Sequence, residues 1–253
     1  MRILCSLCIA LSTYSKIPTP RVEWNDENRR YSMCFFPVIG LAVGLLELLW
    51  LRLCDALALG GALRGAVAAV IPLFVTGGIH MDGFMDTCDA LGSWQTRERR
   101  LEILKDPHAG AFAVIGCGAY LLLLAGVMSE ADAGDGAALA PCFVLSRALS
   151  ALALTCFKKA REDGMLAGFA RAARHKALVG CCALWAALCL GALMLFAGAR
   201  GALAFAAQLA VLAHYRRMAY REFGGVTGDL AGWFLQAAEL CGCAVIVLGG
   251  KIG

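Results

Sequence analysis

The sequence predicts an all-α fold, a polytopic transmembrane helical bundle that forms a single integral membrane domain over residues 1–253. Hydrophobic residues make up 60% of the chain and the mean hydropathy is +0.70, both above the usual range for soluble domains. Several uncharged apolar runs approach the roughly 20 residues that a helix needs to span a bilayer. The remaining polar stretches are too short to form a soluble domain.

The first element is a short apolar run over residues 1–15 that begins with Arg2 and imitates a signal peptide. It has no Ala-x-Ala-like cleavage site, and it leads directly into Lys16-Ile-Pro-Thr-Pro20. We therefore expect a retained helix that is interfacial or re-entrant.

Seven apolar segments follow, and each is predicted to be a membrane span: about 33–54, 64–79, 109–128, 137–157, 177–197, 202–213 and 230–249. A charged and helical connection is expected over 90–108, and a very short turn over 198–201. The spans are not wholly apolar, because they carry Glu47, Arg147, Gln236 and Glu239.

Lys and Arg residues predict the topology, because positively charged loops stay on the cytoplasmic side. They are concentrated in alternate connections: 16–30, 90–108, 158–176 and 214–221. The connections between these segments carry almost none. This pattern predicts a bacterial cytoplasmic (inner) membrane protein, with residues 77–89 and the four basic segments facing the cytoplasm.

Residues 77–89 contain the most informative motif. Gly77 and Gly78 are expected to end a helix, and Asp82, Asp86 and Asp89 are spaced i, i+4, i+7. A helix that starts near Asp82 places the three carboxylates on one face. Their repulsion is relieved by a divalent cation, and Mg²⁺ usually takes one or two carboxylates together with substrate phosphates. The alternative is a solvated acidic helix start that the helix dipole favours.

Charged residues of the 97–106 segment allow two interpretations. Glu102 and Asp106 lie one helical turn apart with Lys105 beside them, which fits an ordinary surface helix with ion pairs. The functional interpretation adds Asp106 or Glu102 to the metal site and places Lys105 on a phosphate.

Arg147 lies inside a predicted span, where a charge is costly and is usually paired. Glu47, Glu239 or a phosphate is its candidate partner, and we favour a role at a substrate cavity over a purely structural pair.

Two further basic or glycine-rich segments are candidates for anion binding. Arg161 fits either positive-inside charge or a bidentate clamp on a diphosphate. The turn at Gly224, Gly225 and Gly228 offers backbone N–H groups that suit an anion. Asp229 after it either caps the last helix or binds the metal.

Thirteen Cys residues are present, and most lie within apolar runs, where they behave as small hydrophobic side chains. The sequence contains no paired Cys-x-x-Cys set with a nearby His, so no zinc site is indicated. Basic and aromatic residues are not interleaved, so no nucleic acid partner is expected.

Taken together, these segments resemble the cobalamin (5′-phosphate) synthase family, also called adenosylcobinamide-GDP ribazoletransferase. The matching segments run in order along nearly the whole chain: Ile17-Pro-Thr-Pro20, Phe36-Pro-Val-Ile-Gly40, residues 77–89, Arg100-Leu-Glu-Ile-Leu-Lys-Asp106 with Gly110, Ser146-Arg147, Ala160-Arg-Glu-Asp-Gly164 and Gly224-Gly-Val-Thr-Gly-Asp229 with Glu239. Two departures stand out. Gln236 occupies a position where Glu is expected, and Pro107-His108 replaces a more usual Ser-Arg pair.

The resemblance implies an enzyme of nucleotide-loop assembly in cobalamin biosynthesis that needs Mg²⁺. It would join adenosylcobinamide-GDP to α-ribazole or α-ribazole 5′-phosphate and release GMP, with the lipid bilayer as its environment and homo-oligomerisation left open.

With that substrate, the expected metal ligands are Asp82, Asp86 and Asp89, with Asp106 or Asp229. His80 or a carboxylate would accept a proton from the ribose hydroxyl, and Arg147, Lys105 and Arg161 would stabilise the phosphates.

Two alternatives have different chemistry. A CDP-alcohol phosphatidyltransferase also carries a multi-Asp motif, but there Asp-Gly is followed closely by Ala-Arg, whereas this chain has Asp82-Gly-Phe-Met-Asp86. An ion-coupled transporter would use Arg147 and the intramembrane acids along a path.

Overall fold

The computed structural model of the protein describes residues 2–160 and 174–252, and within these ranges the fold is helical. Its helices are α1 (Arg2–Tyr14), α2 (Asp26–Arg29), a 3₁₀ turn (Ser32–Phe35), α3 (Phe36–Ala56), α4 (Gly61–Thr76), α5 (Ile79–Gly92), α6 (Arg97–Ile103), α7 (Ala111–Ser129), α8 (Ala133–Cys156), α9 (His175–Met218), a π-helical turn (Ala219–Phe223) and α10 (Gly228–Ile252). The predicted all-α class is confirmed.

Among the described residues, five helical segments are long and apolar enough to cross a membrane, and the count is six if the bent pair α4–α5 forms one span. Helix α1 has 13 residues, so its length of about 20 Å falls short of the roughly 30 Å hydrocarbon core. Its length agrees with the expected interfacial helix. All thirteen Cys residues are free, so no disulfide scaffold is present.

The chain bends by 102° between α4 and α5. The bend lies at Gly77 and Gly78, whose φ angles are +66° and +79°, in the left-handed region that glycine adopts without steric cost. The predicted helix stop at the two glycines is confirmed. Helix α5 begins at Ile79, earlier than expected, which places His80 in its first turn.

Helix α9 is interrupted at Gly198, where φ is +53° and ψ is −127°. A Cβ atom on Gly201 would collide with the backbone of Leu193. In a straight helix residues eight apart are about 12 Å apart, so the chain folds back here as a helical hairpin. This is the predicted 198–201 turn. The turn separates the segments 177–197 and 202–213, which were predicted to be two spans. The total of seven spans stays a prediction.

Helix α8 is the most enclosed of the spans and packs most extensively against α3. The contact is close because two glycines of α3 face the α8 backbone. Cβ atoms on Gly40 and Gly44 would lie 2.8 Å from Val144 Cα and 2.5 Å from Ala140 Cα. Small residues four apart allow membrane helices to approach in this way.

Candidate active site

The acidic helix α5 lies directly against the start of α10. A Cβ atom on Gly83 would be 2.7 Å from Asp229 Cα, and one on Gly232 would be 2.6 Å from the carbonyl oxygen of His80. Both glycines therefore allow the two helices to touch. The contact brings the motif at 77–89 together with the distant Asp229.

Asp86 lies at the centre of an acidic face. The negative charges of Asp82, Asp229 and Asp89 all act on its carboxyl group. Asp82 is exposed, whereas the other three side chains are half-buried. The predicted common face of the α5 carboxylates is thus joined by Asp229.

These carboxylates do not form a preassembled metal cage. Within residues 2–160 and 174–252, no three His, Cys, Asp or Glu side chains are close enough together to hold a metal ion. The arrangement fits Mg²⁺ only in the mode that uses one or two carboxylates and takes its other ligands from water or substrate phosphates.

Asp89 has a structural contact that the sequence did not indicate. Its two carboxylate oxygens accept hydrogen bonds from the backbone N–H groups of Gly110 and Ala113, at 2.5 and 2.8 Å. Asp89 therefore caps the start of α7 from a neighbouring helix. Both of its oxygens already have partners, which sets it apart from Asp82 and Asp86.

His80 lies in an aromatic slot. Its ring stacks at 6.4 Å from Tyr14 and meets Phe36 edge-on at 5.5 Å. The side chain is 8% exposed, its Nε2 atom has no hydrogen-bond partner, and the charge of Arg147 acts on it. The contacts of Tyr14 and Phe36 with His80 were not predicted, because they depend on how distant helices pack.

Arg147 is paired inside the bundle. Its Nη1 lies 2.6 Å from Glu239 Oε1, and the Ser146 hydroxyl donates to the same oxygen at 3.0 Å. Of the three partners expected for Arg147, the structure thus shows Glu239. Glu47 is also buried, with both oxygens unpartnered within the described residues, and the charge of Glu239 acts on it.

Glu102 and Asp106 make the local pairs that the surface-helix interpretation expects. Glu102 pairs with Arg99 at 2.6 Å, and both side chains are more than half exposed. Asp106 accepts hydrogen bonds from the backbone N–H and the ring of His108, which hold the pKa of its carboxyl below the usual range. Asp106 is not among the charges that act on Asp86, and Lys105 is exposed.

The contacts between α6 and the π-helical turn were also not predicted from the sequence. Arg100 pairs with Glu222 in the π-helical turn, and Arg97 donates a hydrogen bond to the Arg221 carbonyl at 3.3 Å. These contacts bring the 90–108 connection against the 214–229 segment. The sequence indicated this contact only through Glu222, an acidic residue that follows several basic residues and could pair with a basic side chain.

The glycine turn at 224–228 pairs with the basic loop. Val226 N–H donates to the Lys158 carbonyl at 2.8 Å, and Ala160 N–H donates to the Val226 carbonyl at 3.1 Å. A Cβ atom on Gly225 would be 2.5 Å from the backbone of Lys158, Lys159 and Ala160. Glycine at this position therefore allows the two backbone segments to approach. Arg161 lies outside the described residues.

The cap of α10 is Thr227, which corrects the expectation that Asp229 fills this role. The Thr227 hydroxyl accepts a hydrogen bond from the N–H of Leu230 at 3.2 Å. Asp229 lies inside the first turn, where the helix dipole favours a negative charge. Gln236, which stands where Glu is expected in the family, is a buried residue of the same helix, with 3% of its surface exposed.

The bundle of apolar helices carries an acidic face, basic residues of α6 and of the 214–221 segment, and a buried ion pair. These features define a polytopic membrane protein with a polar site. The chain belongs to the cobalamin-5-phosphate synthase family, because the model of that family matches residues 6–247.

Relatives named adenosylcobinamide-GDP ribazoletransferase align over nearly their whole length. The protein of Lachnoclostridium phytofermentans is 42% identical over 253 residues, which cover 100% of this chain and 97% of the relative. That of Pseudomonas putida is 32% identical over 252 residues, 97% and 98% of the two chains. That of Clostridium botulinum is 30% identical over 240 residues, 93% and 94%. No solved structure gives a significant match to this chain.

Proposed function

We propose that this chain is an adenosylcobinamide-GDP ribazoletransferase of cobalamin biosynthesis. It transfers the adenosylcobinamide phosphate group of adenosylcobinamide-GDP to α-ribazole or α-ribazole 5′-phosphate and releases GMP. The observation that carries this proposal is the family match over residues 6–247, together with a 42% identical relative of that name.

The reaction breaks one diphosphate bond and forms one phosphodiester bond. A ribose hydroxyl of the acceptor attacks the phosphorus that bears the cobinamide, GMP leaves with the bridging oxygen, and the hydroxyl proton passes to a base. Such a transfer needs in-line positioning and charge neutralisation more than covalent catalysis.

We propose that one or two of the carboxylates of Asp82, Asp86 and Asp229 hold Mg²⁺, together with the substrate diphosphate. Bound there with the substrate diphosphate, the ion would neutralise the charge that develops on the departing GMP. Asp89 is better suited to positioning, since the N–H groups of α7 occupy both its oxygens. Asp106 is also less suited to bind the metal, since its carboxylate is paired with His108.

We propose a carboxylate of the same face as the proton acceptor. Asp82 is exposed, whereas His80 is enclosed by aromatic rings. Lys105 and Arg161 remain the proposed phosphate contacts. Arg147 is proposed to position α8 against α10 through Glu239.

We place the acidic end on the cytoplasmic side of the bacterial inner membrane. The support is the concentration of Lys and Arg in the connections at this end, as the positive-inside rule requires. The cytoplasm also supplies the nucleotide-activated substrate and Mg²⁺.

The test is a reaction of the purified full chain in lipid nanodiscs with adenosylcobinamide-GDP, α-ribazole and Mg²⁺. Mass spectrometry should find the joined product and GMP in equal amounts, and neither when the acceptor is omitted. GMP release that is independent of the acceptor, or no product with either form of α-ribazole, would refute the assignment.

A further inference from the structure

The last turn of α9 and the π-helical turn that follows it form an open basic groove that the proposed reaction does not use. It has a volume of about 580 Å³ and is lined by Ala213, Arg216, Arg217, Tyr220 and Arg221. Positions 213, 216, 217 and 220 are spaced by three and four residues, so they share one face of the helix.

The same face continues up α9 as an apolar stripe. Its exposed members are small or aliphatic side chains at the same helical spacing: Leu203, Ala206, Leu209, Ala210 and Ala213. Leu203 is 60% exposed and Leu209 is 40% exposed. From residue 203 to residue 213 the helix rises about 15 Å, which is about half of the 30 Å hydrocarbon core.

The two arginines at the end of the stripe have no carboxylate partner among the described residues. Within residues 2–160 and 174–252, no carboxylate lies within 4.0 Å of Arg216 or Arg217, whereas Arg221 is bonded to Glu222. The Arg216 guanidinium lies over the rings of Phe157 and Tyr220, 5.4 and 5.5 Å from their centroids. Stacking of this kind holds the guanidinium in place while its N–H edge stays available.

We infer that this groove binds the phosphate headgroup of an anionic phospholipid. The guanidinium groups match phosphate oxygens in geometry and charge, and aromatic side chains favour the membrane interface. A lipid is favoured over a soluble phosphate because the apolar stripe leads directly into the groove and offers a track for one acyl chain.

The proposal can be tested by native mass spectrometry of the detergent-solubilised full chain titrated with phosphatidylglycerol or phosphatidylcholine. The wild type should bind one phosphatidylglycerol preferentially. The double variant Arg216→Gln/Arg217→Gln should lose this preference about tenfold or more, since each basic group near an anionic surface contributes about a fivefold factor. The matched control Arg52→Gln/Lys251→Gln removes the same charge elsewhere and should keep it.

A second variant tests whether the shape of the groove, and not only its charge, is needed for lipid binding. Ala213→Trp fills the groove without changing the charge, and it should also lose the preference for phosphatidylglycerol while its melting temperature in detergent stays near that of the wild type. Equal phosphatidylglycerol binding by the wild type and the double variant would overturn the inference. So would displacement of the lipid by equimolar inorganic phosphate or GMP, because the groove would then serve a soluble ligand.

Discussion

Arg147 and Glu239 form an ion pair of 2.6 Å in the interior of the bundle, with side chains that are 1% and 2% exposed. The pair joins α8 to α10, the helix whose first turn carries Asp229. Because α10 also contacts the acidic helix α5, this buried pair connects α8 to a helix that carries part of the candidate active site.

Breaking the pair should destabilise the protein strongly. Glu239→Gln leaves the buried guanidinium without a counter-charge, and the expected loss is about 3–5 kcal/mol of unfolding free energy. The measurement is denaturant unfolding in detergent micelles.

The control for that variant is Lys251→Gln, which removes a half-exposed partner 4.0 Å from Glu130 and should cost less than about 1 kcal/mol. The double variant Arg147→Met/Glu239→Gln should recover much of the lost stability. If Glu239→Gln unfolds at the same denaturant concentration as the wild type, the pair has no structural role.

Asp89 should behave as a helix cap. Replacing it with Ala removes two hydrogen bonds to the start of α7, at Gly110 and Ala113, and should cost about 1–2 kcal/mol of stability. Asp89→Asn keeps one acceptor and should cost less. Unchanged stability with Mg²⁺ affinity weakened tenfold in either variant would show instead that Asp89 is a metal ligand.

The contact between α5 and α10 should not tolerate a larger side chain. Gly83→Ala places a methyl group 2.7 Å from Asp229 Cα, so the helices must separate at a cost of about 1–3 kcal/mol. A shift of this kind misaligns Asp229 with Asp86, and GMP release should fall at least about tenfold.

Gly118→Ala is the matched comparison for that change, because a Cβ atom there meets no atom within 4 Å. It should leave both stability and activity nearly unchanged. Full activity of Gly83→Ala would show that the close approach of α5 and α10 is not needed for the site.

Local sequence signals predicted the parts of the fold that depend on neighbouring residues. Gly77 and Gly78 predicted the helix end before α5, and the 198–201 turn was expected where Gly198 interrupts α9. Arg147 predicted a partner because an isolated charge in an apolar span is costly; Glu47, Glu239 and a phosphate were the candidates, and the structure shows Glu239. Each of these inferences needed only residue type and spacing.

Contacts between distant segments were not predictable in the same way. The cap that Asp89 places on α7 and the aromatic slot of His80 depend on how whole helices pack. The three carboxylates of α5 looked equivalent from their spacing, and only the approach of α7 distinguishes Asp89 from Asp82. The basic groove of α9 likewise required the fold, because Phe157 is far from Arg216 in sequence.

The most direct test of the proposed site is GMP release by purified Asp82→Asn in nanodiscs, with both substrates and saturating Mg²⁺. Asp82 is exposed, so the variant should fold and melt like the wild type. Loss of one negative ligand should lower turnover by about a hundredfold or more, since metal neutralisation contributes several kcal/mol and each 1.36 kcal/mol is a factor of ten. Near-normal turnover by this variant would contradict a metal-dependent site on the α5 face.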